Sequence, residues 1–405
     1  MTLIDNLKQY AETSHLSKES QELFGEFISK GFPTIKDEEW KYTSLKKIIS
    51  ESYTLHYSAN KNTFKGFEKY FLGFKNKIVF LDGKLVSSSN IKGVTISDYT
   101  SFKNLSNHSS LDFLNASLSK NGFTISVDEN IQIEEPIEIL FLNTTENIFS
   151  QYRNCISIGK NSSVKFIEQN KNVSDLNSLS NNFTQINCAE NSNVEFNKIQ
   201  NDTARSKLID TLNVYQKSDS VCTVNTVIFG GLFIRNNLNF EQNGQNAESN
   251  MNGITLLTKN QFVDNHTFVD HKNANCRSNE LYKGIYLDKS KGVFNGKIMV
   301  RKDSQKIDAF QANNSLLLNN DASINSKPQL EIYADDVKCS HGCTIGQLDS
   351  ESLFYLRSRG VSLEEAKGLL TFAFASEAIQ NISIAELRSL VQKTMSNKLN
   401  VDIEL

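Results

Sequence analysis

The segment Asn161-Ser-Ser-Val-Lys-Phe166 is repeated, residue type by residue type, as Asn191-Ser-Asn-Val-Glu-Phe196, 30 residues further along the chain. Weaker versions follow at Ser218-Asp-Ser-Val221, Asn246-Ala-Glu-Ser249 and Asp321-Ala-Ser-Ile324, the first two lying 27 and 28 residues after their predecessors. A polar turn that leads into an inward-facing Val/Phe pair once per coil is the pattern that a stacked β-solenoid repeats. Coincidence in an Asn- and Ser-rich chain is the alternative explanation, above all for the weaker versions.

The sequence around this repeat consists of short alternating apolar and polar runs, broken by Asn, Gly and Ser. Typical runs are Ile78–Val86, Ile137–Leu142, Cys155–Ile158 and Ile298–Val300. They continue to about Val337 without a convincing long helix between them, and so many consecutive strands require a sandwich, a barrel or a solenoid. The repeat favours the solenoid. We therefore predict a mainly β fold whose solenoid core covers residues 76–345.

Helical patterns occupy both ends of the chain. In the N-terminal region, residues 1–75, Ser17 is placed to cap a helix that Gly31 and Pro33 end, and a second helix is predicted from Lys36 to Ile49. In the C-terminal domain, residues 346–405, Asp349 is placed to cap a helix over Ser350–Arg359, with Gly360 as its left-handed C-terminal residue. Ser362 and Ser383 each begin a Ser-x-x-Glu capping box. The helix from Leu363 to about Ile379 is apolar over much of its surface, which indicates packing in a bundle or docking of a partner.

Composition narrows the class of protein. The 405 residues carry 43 basic and 46 acidic side chains, a net charge of −3, which argues against a nucleic-acid-binding protein. No apolar run approaches the roughly 18 residues of a membrane span, and the N-terminus lacks the pattern of a secretory signal. The six cysteines are expected to be thiols rather than disulfides. These features predict a cytoplasmic protein that binds neither nucleic acid nor membrane.

Cys339, His341 and Cys343 form the strongest candidate site because they occupy alternate positions. On an extended strand such side chains point to one face, roughly 7 Å apart. Thiolate and imidazole ligands suit iron–sulfur chemistry. Three ligands from one strand rarely complete a four-coordinate site, so a partner is expected to supply the rest. The alternative is a buried strand end whose thiols are merely small.

His266, His271 and Cys276 form a second cluster of potential ligands. Two histidines five residues apart face opposite sides of a straight strand. We therefore predict a structural role for this cluster.

Two stretches of the sequence resemble the SufB/SufD family of iron–sulfur cluster assembly proteins. They are Lys327-Pro-Gln-Leu-Glu-Ile-Tyr-Ala-Asp-Asp-Val-Lys-Cys339, with its continuation to Gly360, and Gly31-Phe-Pro-Thr-Ile-Lys-Asp-Glu-Glu-Trp-Lys-Tyr-Thr-Ser-Leu45. The second stretch, and Gly346-Gln-Leu-Asp349, are more similar to the SufD branch than to the SufB branch. The resemblance extends from about Phe32 to about Ile379.

The resemblance implies a right-handed parallel β-helix and the role of a non-catalytic scaffold subunit in the SUF assembly complex. It implies pairing with SufB through the β-helix and binding of the ABC-type ATPase SufC through the C-terminal helices, and it leaves open a homodimer when SufB is absent. No cofactor would be bound stably by the chain alone. A transient iron–sulfur cluster or iron would lie at the SufB interface.

Individual residues follow from the resemblance. Cys339 and His341 correspond directly to the family pattern, whereas many relatives carry no thiol at the position of Cys343. The expected SufC-docking residues are Leu353, Phe354, Tyr355, Arg357, Arg359, Leu370 and Phe374. Trp40, His271 and Cys276 are expected to be structural.

Two other functions remain open at this level. A SufB-type paralogue would itself build the cluster. A carbohydrate-active β-helix enzyme would usually act outside the cell and present aromatic and acidic residues along an open groove. The missing export signal and the helices at both ends of this sequence argue against such an enzyme.

Overall fold

The computed structural model describes residues 2–55, 66–99, 109–119 and 121–401. The predicted mainly β fold is confirmed: a parallel β-solenoid of about eight turns is flanked by N-terminal and C-terminal helices. The predicted N-terminal region includes residues 56–65, which lie outside the described residues. No helix among the described residues is both long enough and apolar enough to span a membrane.

The described helices are α1 Leu3–Thr13, α2 Lys18–Lys30, α3 Lys46–Ile49, α4 Ser110–Leu118, α5 Ser350–Ser358, α6 Leu363–Ile379 and α7 Ala385–Leu399, with 3-10 turns at Glu38–Trp40 and Phe67–Tyr70. The strands are β1 Asn76–Leu81, β2 Lys84–Ser88, β3 Val94–Asp98, β4 Phe123–Val127, β5 Ile137–Asn143, β6 Ile148–Ile158, β7 Ser163–Asn172, β8 Ser178–Cys188, β9 Asn193–Gln200, β10 Ser206–Gln216, β11 Val221–Ile228, β12 Phe233–Gln242, β13 Glu248–Leu257, β14 Phe262–His271, β15 Arg277–Tyr286, β16 Lys291–Val300, β17 Ile307–Leu317, β18 Ser323–Ile332 and β19 Val337–Gly346.

Consecutive strands alternate between two sheets. From β5 onward the odd-numbered strands stack in parallel up to β19, and from β4 the even-numbered strands do the same up to β18. Only β2 and β3, next to the first coils, pair antiparallel with their neighbours. Because each coil is hydrogen-bonded in register on the one before, every inward position is repeated coil after coil as a column of side chains.

The repeated turn before the odd-numbered strands explains the Asn-rich motif. Its residues adopt a left-handed backbone in coil after coil, and they are Asn130, Asn161, Asn191, Asp219, Asn246, Asn275 and Lys306, with φ between 55° and 63°. Asn tolerates this conformation better than most residues with a Cβ. The side-chain amide of Asn191 also donates to the Oδ1 of Asn161 at 3.0 Å, and that of Asn161 donates to the Oδ1 of Asn130 at 2.9 Å. A ladder of amides therefore connects successive coils.

The repeat predicted from the sequence is confirmed for its two best copies and corrected for two others. Val164 lies opposite Val194 in the ladder, and the rings of Phe166 and Phe196 are 5.7 Å apart in the core. In the third copy Asp219, not Ser218, takes the turn position, because Cys222 pairs with Val194. The Asp321 copy precedes β18 and thus belongs to the other sheet.

The helices cover the outer faces of the two sheets. Residues of α1, α2 and α4 share one apolar cluster with Phe149, Leu179, Ile209 and Phe233 of the even-numbered strands. Residues of α6 and α7 share another with strands of the odd-numbered sheet, among them Ile199, Val227 and Leu256. The apolar surface of α6 is therefore used largely in packing within this chain.

Two predictions about helices are wrong in part. The helix predicted from Lys36 to Ile49 is a 3-10 turn followed by the single turn α3. The short helix α4, of nine residues, lies within the region of strands. Ser383 does not cap α7, whose N-cap is Ile384. Instead the backbone N–H of Ser383 donates to Glu195 Oε1 at 3.1 Å, and its hydroxyl donates to Oε2. Ser383 thus binds the carboxylate of Glu195 on the solenoid and does not form the capping box that the local sequence predicts.

The remaining caps are found where the sequence places them. Ser17, Asp349 and Ser362 each accept a hydrogen bond from a backbone N–H of their helix, and Gly360 has a φ of 91°.

His271 and Cys276 are both completely buried. The Nε2 of His271 lies 2.9 Å from the hydroxyl of Ser278, and the thiol of Cys276 donates to the carbonyl of Gly244 at 3.3 Å. His266, on the opposite face of β14, points out of the solenoid interior. Burial lowers the pKa of His271 to about 4, with Asp270 acting weakly in the opposite direction.

The turn ladder makes a prediction at Asn191. Asn191→Ala should lower stability by about 1–2 kcal/mol, because alanine is strained in the left-handed region and the amide hydrogen bond is lost. Asn191→Gly loses only the hydrogen bond and is the matched control. Thermal unfolding should rank wild type above Asn191→Gly and Asn191→Gly above Asn191→Ala; equal midpoints for the two variants would contradict the assigned backbone conformation.

Burial of neutral His271 predicts a pH dependence of stability. The unfolded chain takes up the proton near pH 6.5, whereas the folded chain does so only near pH 4. The free energy of unfolding should therefore fall as the pH falls through this window, by about 3 kcal/mol in total. Urea unfolding of His271→Gln should lack this contribution. Ser278→Ala, which removes the hydrogen-bond partner but not the imidazole, should keep the pH dependence.

Candidate functional site

The site residues Cys339, His341 and Cys343 lie on β19, the last strand of the odd-numbered sheet. In the ladder, Cys339 pairs with Ala309, His341 with Gln311 and Cys343 with Asn313 of β17. All three partners are buried. The three side chains therefore continue interior columns of the solenoid and share one face, as their alternate spacing predicts.

These side chains sit at the uncovered end of the solenoid. Cys339 is half-buried, and His341 and Cys343 are exposed, since no further coil of the described chain lies over β18 and β19. Apolar side chains around this end are exposed as well: Phe310, Ile332, Tyr333 and Ile345. The last coil thus presents two unpaired strand edges together with apolar surface.

The donor set is chemically suitable for iron or a cluster but incomplete. Burial raises the pKa of the Cys339 thiol, opposed by a hydrogen bond from the backbone of Ala309. Within the part of the chain that the structure describes, no three His, Cys, Asp or Glu side chains are close enough to hold a metal ion. The straight strand keeps its alternate side chains apart.

The predicted docking residues divide into two groups. Phe354 and Tyr355 of α5 are 75% and 58% exposed, and the guanidinium of Arg359 lies 5.2 Å from the ring of Tyr355. Arg357 is also exposed, and Leu353 and Leu370 are half-buried. Phe374 packs with the apolar cluster between α6 and the solenoid, and its ring lies 4.6 Å from Lys283 Nζ. The accessible part of the set is therefore on α5, none of whose residues is buried.

Trp40 joins the N-terminal segment to the outer face of the even-numbered sheet. Its buried ring lies 4.3 Å from the guanidinium of Arg235, which donates to the carbonyl of Glu39 at 2.9 Å and forms a buried ion pair with Asp264. Thr43 also donates to Asp264. Lys327 on the last coil pairs with Glu38 at 2.6 Å. The signature around Trp40 thus ties the N-terminal segment to three different coils.

His266 takes part in the same contacts, a role that its sequence position does not reveal. Its Nε2 lies 3.0 Å from Asp264 Oδ1 and its Nδ1 lies 3.2 Å from Glu39 Oε2. Burial alone would raise the pKa of Asp264, but Arg235 and His266 outweigh it and hold that pKa below the ordinary value. Glu39 lies more than 190 residues from both Arg235 and His266 in the sequence, so no local pattern could identify its contacts with them.

Comparison with known proteins is consistent with this architecture. A family model described as "SUF system FeS cluster assembly, SufBD core domain" matches residues 141–374. The iron–sulfur cluster assembly protein SufD of Escherichia coli is 28% identical, over 96% of this chain and 94% of that protein. An iron–sulfur cluster assembly SufBD family protein of Synechocystis sp. is 28% identical over 90% of this chain and 87% of its own length.

A SufBD family protein of Mycobacterium leprae is 30% identical over 45% of this chain and 49% of its own length. The family model includes Cys339, and the E. coli SufD match extends over nearly the whole chain. Since the family model covers more than half of the sequence, the chain belongs to the SufBD family of iron–sulfur cluster assembly proteins and is SufD-like.

Proposed function

We propose that this chain is the SufD-type scaffold subunit of a SUF assembly complex, which pairs with SufB through the open end of its solenoid and binds the ATPase SufC through its C-terminal helices. The observation that carries the proposal is the position of Cys339, His341 and Cys343. Their side chains continue the interior columns of the solenoid on its last described strand, and they are too few and too far apart to hold a metal ion by themselves.

The open end supports pairing with a related solenoid. β18 and β19 each present one edge of unpaired peptide groups, and proteins normally cover or block such edges. A partner that adds strands there would satisfy these groups by β-augmentation. It would also cover Phe310, Tyr333 and Ile345. When SufB is absent, a second copy of this chain is the alternative occupant of the same end.

Pairing at this end would complete the donor set. An iron ion or a nascent iron–sulfur cluster, the cargo of the complex, would then lie between Cys339 and His341 and donors from SufB. Cys343 is exposed on the same face and is a further donor. In this proposal the isolated chain holds no cofactor, and its thiols operate in the reducing cytoplasm.

The scaffold role assigns ATP hydrolysis to SufC. The one glycine-containing segment with some similarity to a phosphate-binding loop, Gly292–Ile298, lies within β16 and hydrogen-bonds as a regular strand. A docking surface for SufC is available on α5, where Phe354 and Tyr355 are exposed beside Arg357 and Arg359. Aromatic and arginine side chains are the types that contribute most to protein interfaces.

The site makes a prediction at His341. His341→Ala should leave capture of SufB and SufC unchanged but lower the iron and sulfide content of the complex purified without oxygen several-fold. Ser340→Ala, on the opposite face of the same strand, is the matched control and should keep the wild-type content. Unchanged cluster content in His341→Ala, with normal expression, would contradict the proposed site.

The docking surface makes a separate prediction. Phe354→Asp should weaken binding of SufC at least tenfold, because truncating a central aromatic residue of an interface typically costs about 2 kcal/mol or more. Lys393→Glu, on the exposed side of α7, changes charge outside α5 and should bind normally. Calorimetry with purified SufC would measure both. Wild-type affinity for Phe354→Asp would move the interface away from α5.

Co-expression distinguishes the SufD assignment from a SufB-type builder. With SufC alone, this chain should be captured colourless; a chromophore after anaerobic purification would instead identify it as the subunit that builds the cluster.

A further inference from the structure

A buried polar pair lies directly beneath His341 in the solenoid. The column that ends at His341 runs through the buried apolar residues Phe196, Val224 and Met251, and continues with Glu280 and Gln311. Glu280 and Gln311 are each only 2% exposed. Buried polar groups cost free energy unless they are fully hydrogen-bonded, and an apolar column would be the more stable filling. In this column the change from apolar to polar residues occurs in the two coils next to the open end.

Hydrogen bonds hold the pair in a defined orientation. Gln311 Nε2 donates to Glu280 Oε2 at 3.2 Å, and the hydroxyl of Thr267 donates to the same oxygen at 2.6 Å. Gly296 leaves the room that the amide occupies, because a Cβ at this position would come within 2.2 Å of Gln311 Nε2. With its nitrogen committed to Glu280, the amide of Gln311 directs its oxygen elsewhere.

That oxygen is unsatisfied. Gln311 Oε1 is buried and has no hydrogen-bond partner within the described chain. The next residue in its column is His341, on the neighbouring strand about 4.8 Å away. Amides paired in the same way on neighbouring strands of this sheet do bond from coil to coil, since Asn225 Nδ2 donates to Asn197 Oδ1 at 2.8 Å. An N–H of the His341 imidazole is therefore the nearest donor in this column that could bind Gln311 Oε1.

We infer that Gln311, oriented by Glu280, is a positioning residue for His341: it accepts one imidazole N–H and so leaves the other ring nitrogen unprotonated and aimed at the metal. The inference rests on the proposed role of His341 as a ligand. Partners of this kind fix the tautomer and orientation of ligating histidines, and their loss typically weakens metal binding about 10–100-fold. The polar pair is thus built into the core to support a ligand that becomes fully enclosed only when a partner covers the coil.

The test uses Co²⁺ as the probe, bound to the complex of this chain with SufB and SufC. Its ligand-field absorption reports the donors, and titration gives the affinity. Gln311→Leu should assemble normally, weaken Co²⁺ binding about tenfold or more, and change the absorption spectrum in the same way as His341→Ala. Gln311→Asn, which keeps an amide able to donate to Glu280 and to accept from His341 but is one methylene shorter, should lie between wild type and Gln311→Leu in both affinity and spectrum. Gln329→Leu, an outward-facing glutamine on the adjacent β18, is the matched control and should resemble wild type.

The outcomes separate the two proposals. If His341→Ala leaves Co²⁺ binding unchanged, the proposed metal site is wrong and this inference fails with it. If His341→Ala weakens binding but Gln311→Leu does not, only the positioning role is overturned. Should Gln311→Leu fail to assemble, Gly296→Ala provides the second variant, since it displaces the amide without removing it. Wild-type affinity and spectrum in Gly296→Ala would then overturn the inference, and weakened Co²⁺ binding with the spectral change seen in His341→Ala would support it.

Discussion

In-register hydrogen bonding between successive coils is the constraint on which the rest of this structure depends. Each strand from β5 to β17 pairs with the strands of the coils before and after it, with each inward residue facing the inward residue of the next coil. A shift by one residue would turn every inward side chain outward. The register therefore determines the apolar core around Phe166 and Phe196, the amide ladder of the turns, and which face Cys339 and His341 share.

The same constraint explains why the site lies at the end of the solenoid. Inside the stack, an inward thiol or imidazole is enclosed by the next coil, as happens to Cys222 and His271. Among the coils that the structure describes, the last one presents inward-facing Cys and His side chains that no further coil covers. It also leaves peptide groups unpaired along β18 and β19, so a partner that completes the donor set would complete the two sheets as well. Ligand chemistry and subunit pairing are thus properties of one surface.

Helices at both ends of the chain stabilise the two sheets because they bury apolar side chains on the outer faces of the sheets. At the N-terminal side, apolar contacts are supplemented by the buried pair of Arg235 and Asp264, with Trp40 stacked on the guanidinium. A buried ion pair contributes little net stability compared with apolar packing, but removing one partner leaves an uncompensated charge. These contacts therefore specify where the segment Gly31–Leu45 docks. At the C-terminal side, Glu195 binds Ser383 and so anchors the turn between α6 and α7. No residue of α5 is buried.

The sequence alone determined those features whose physical cause is local. The left-handed turns at Asn161 and Asn191 follow from residue preference, the caps at Ser17 and Asp349 from side chains that reach their own helix, and the common face of Cys339, His341 and Cys343 from the period of a strand. Only the tertiary structure decided which residues make contacts between different coils and segments. The turn position of the third copy is occupied by Asp219 and not by Ser218. Ser383 binds Glu195 and does not cap α7, and His266 lies between Asp264 and Glu39. The pairing of Glu280 and Gln311 beneath His341 is of the same kind, because stacking brings together residues about 30 positions apart, a separation at which no local propensity acts.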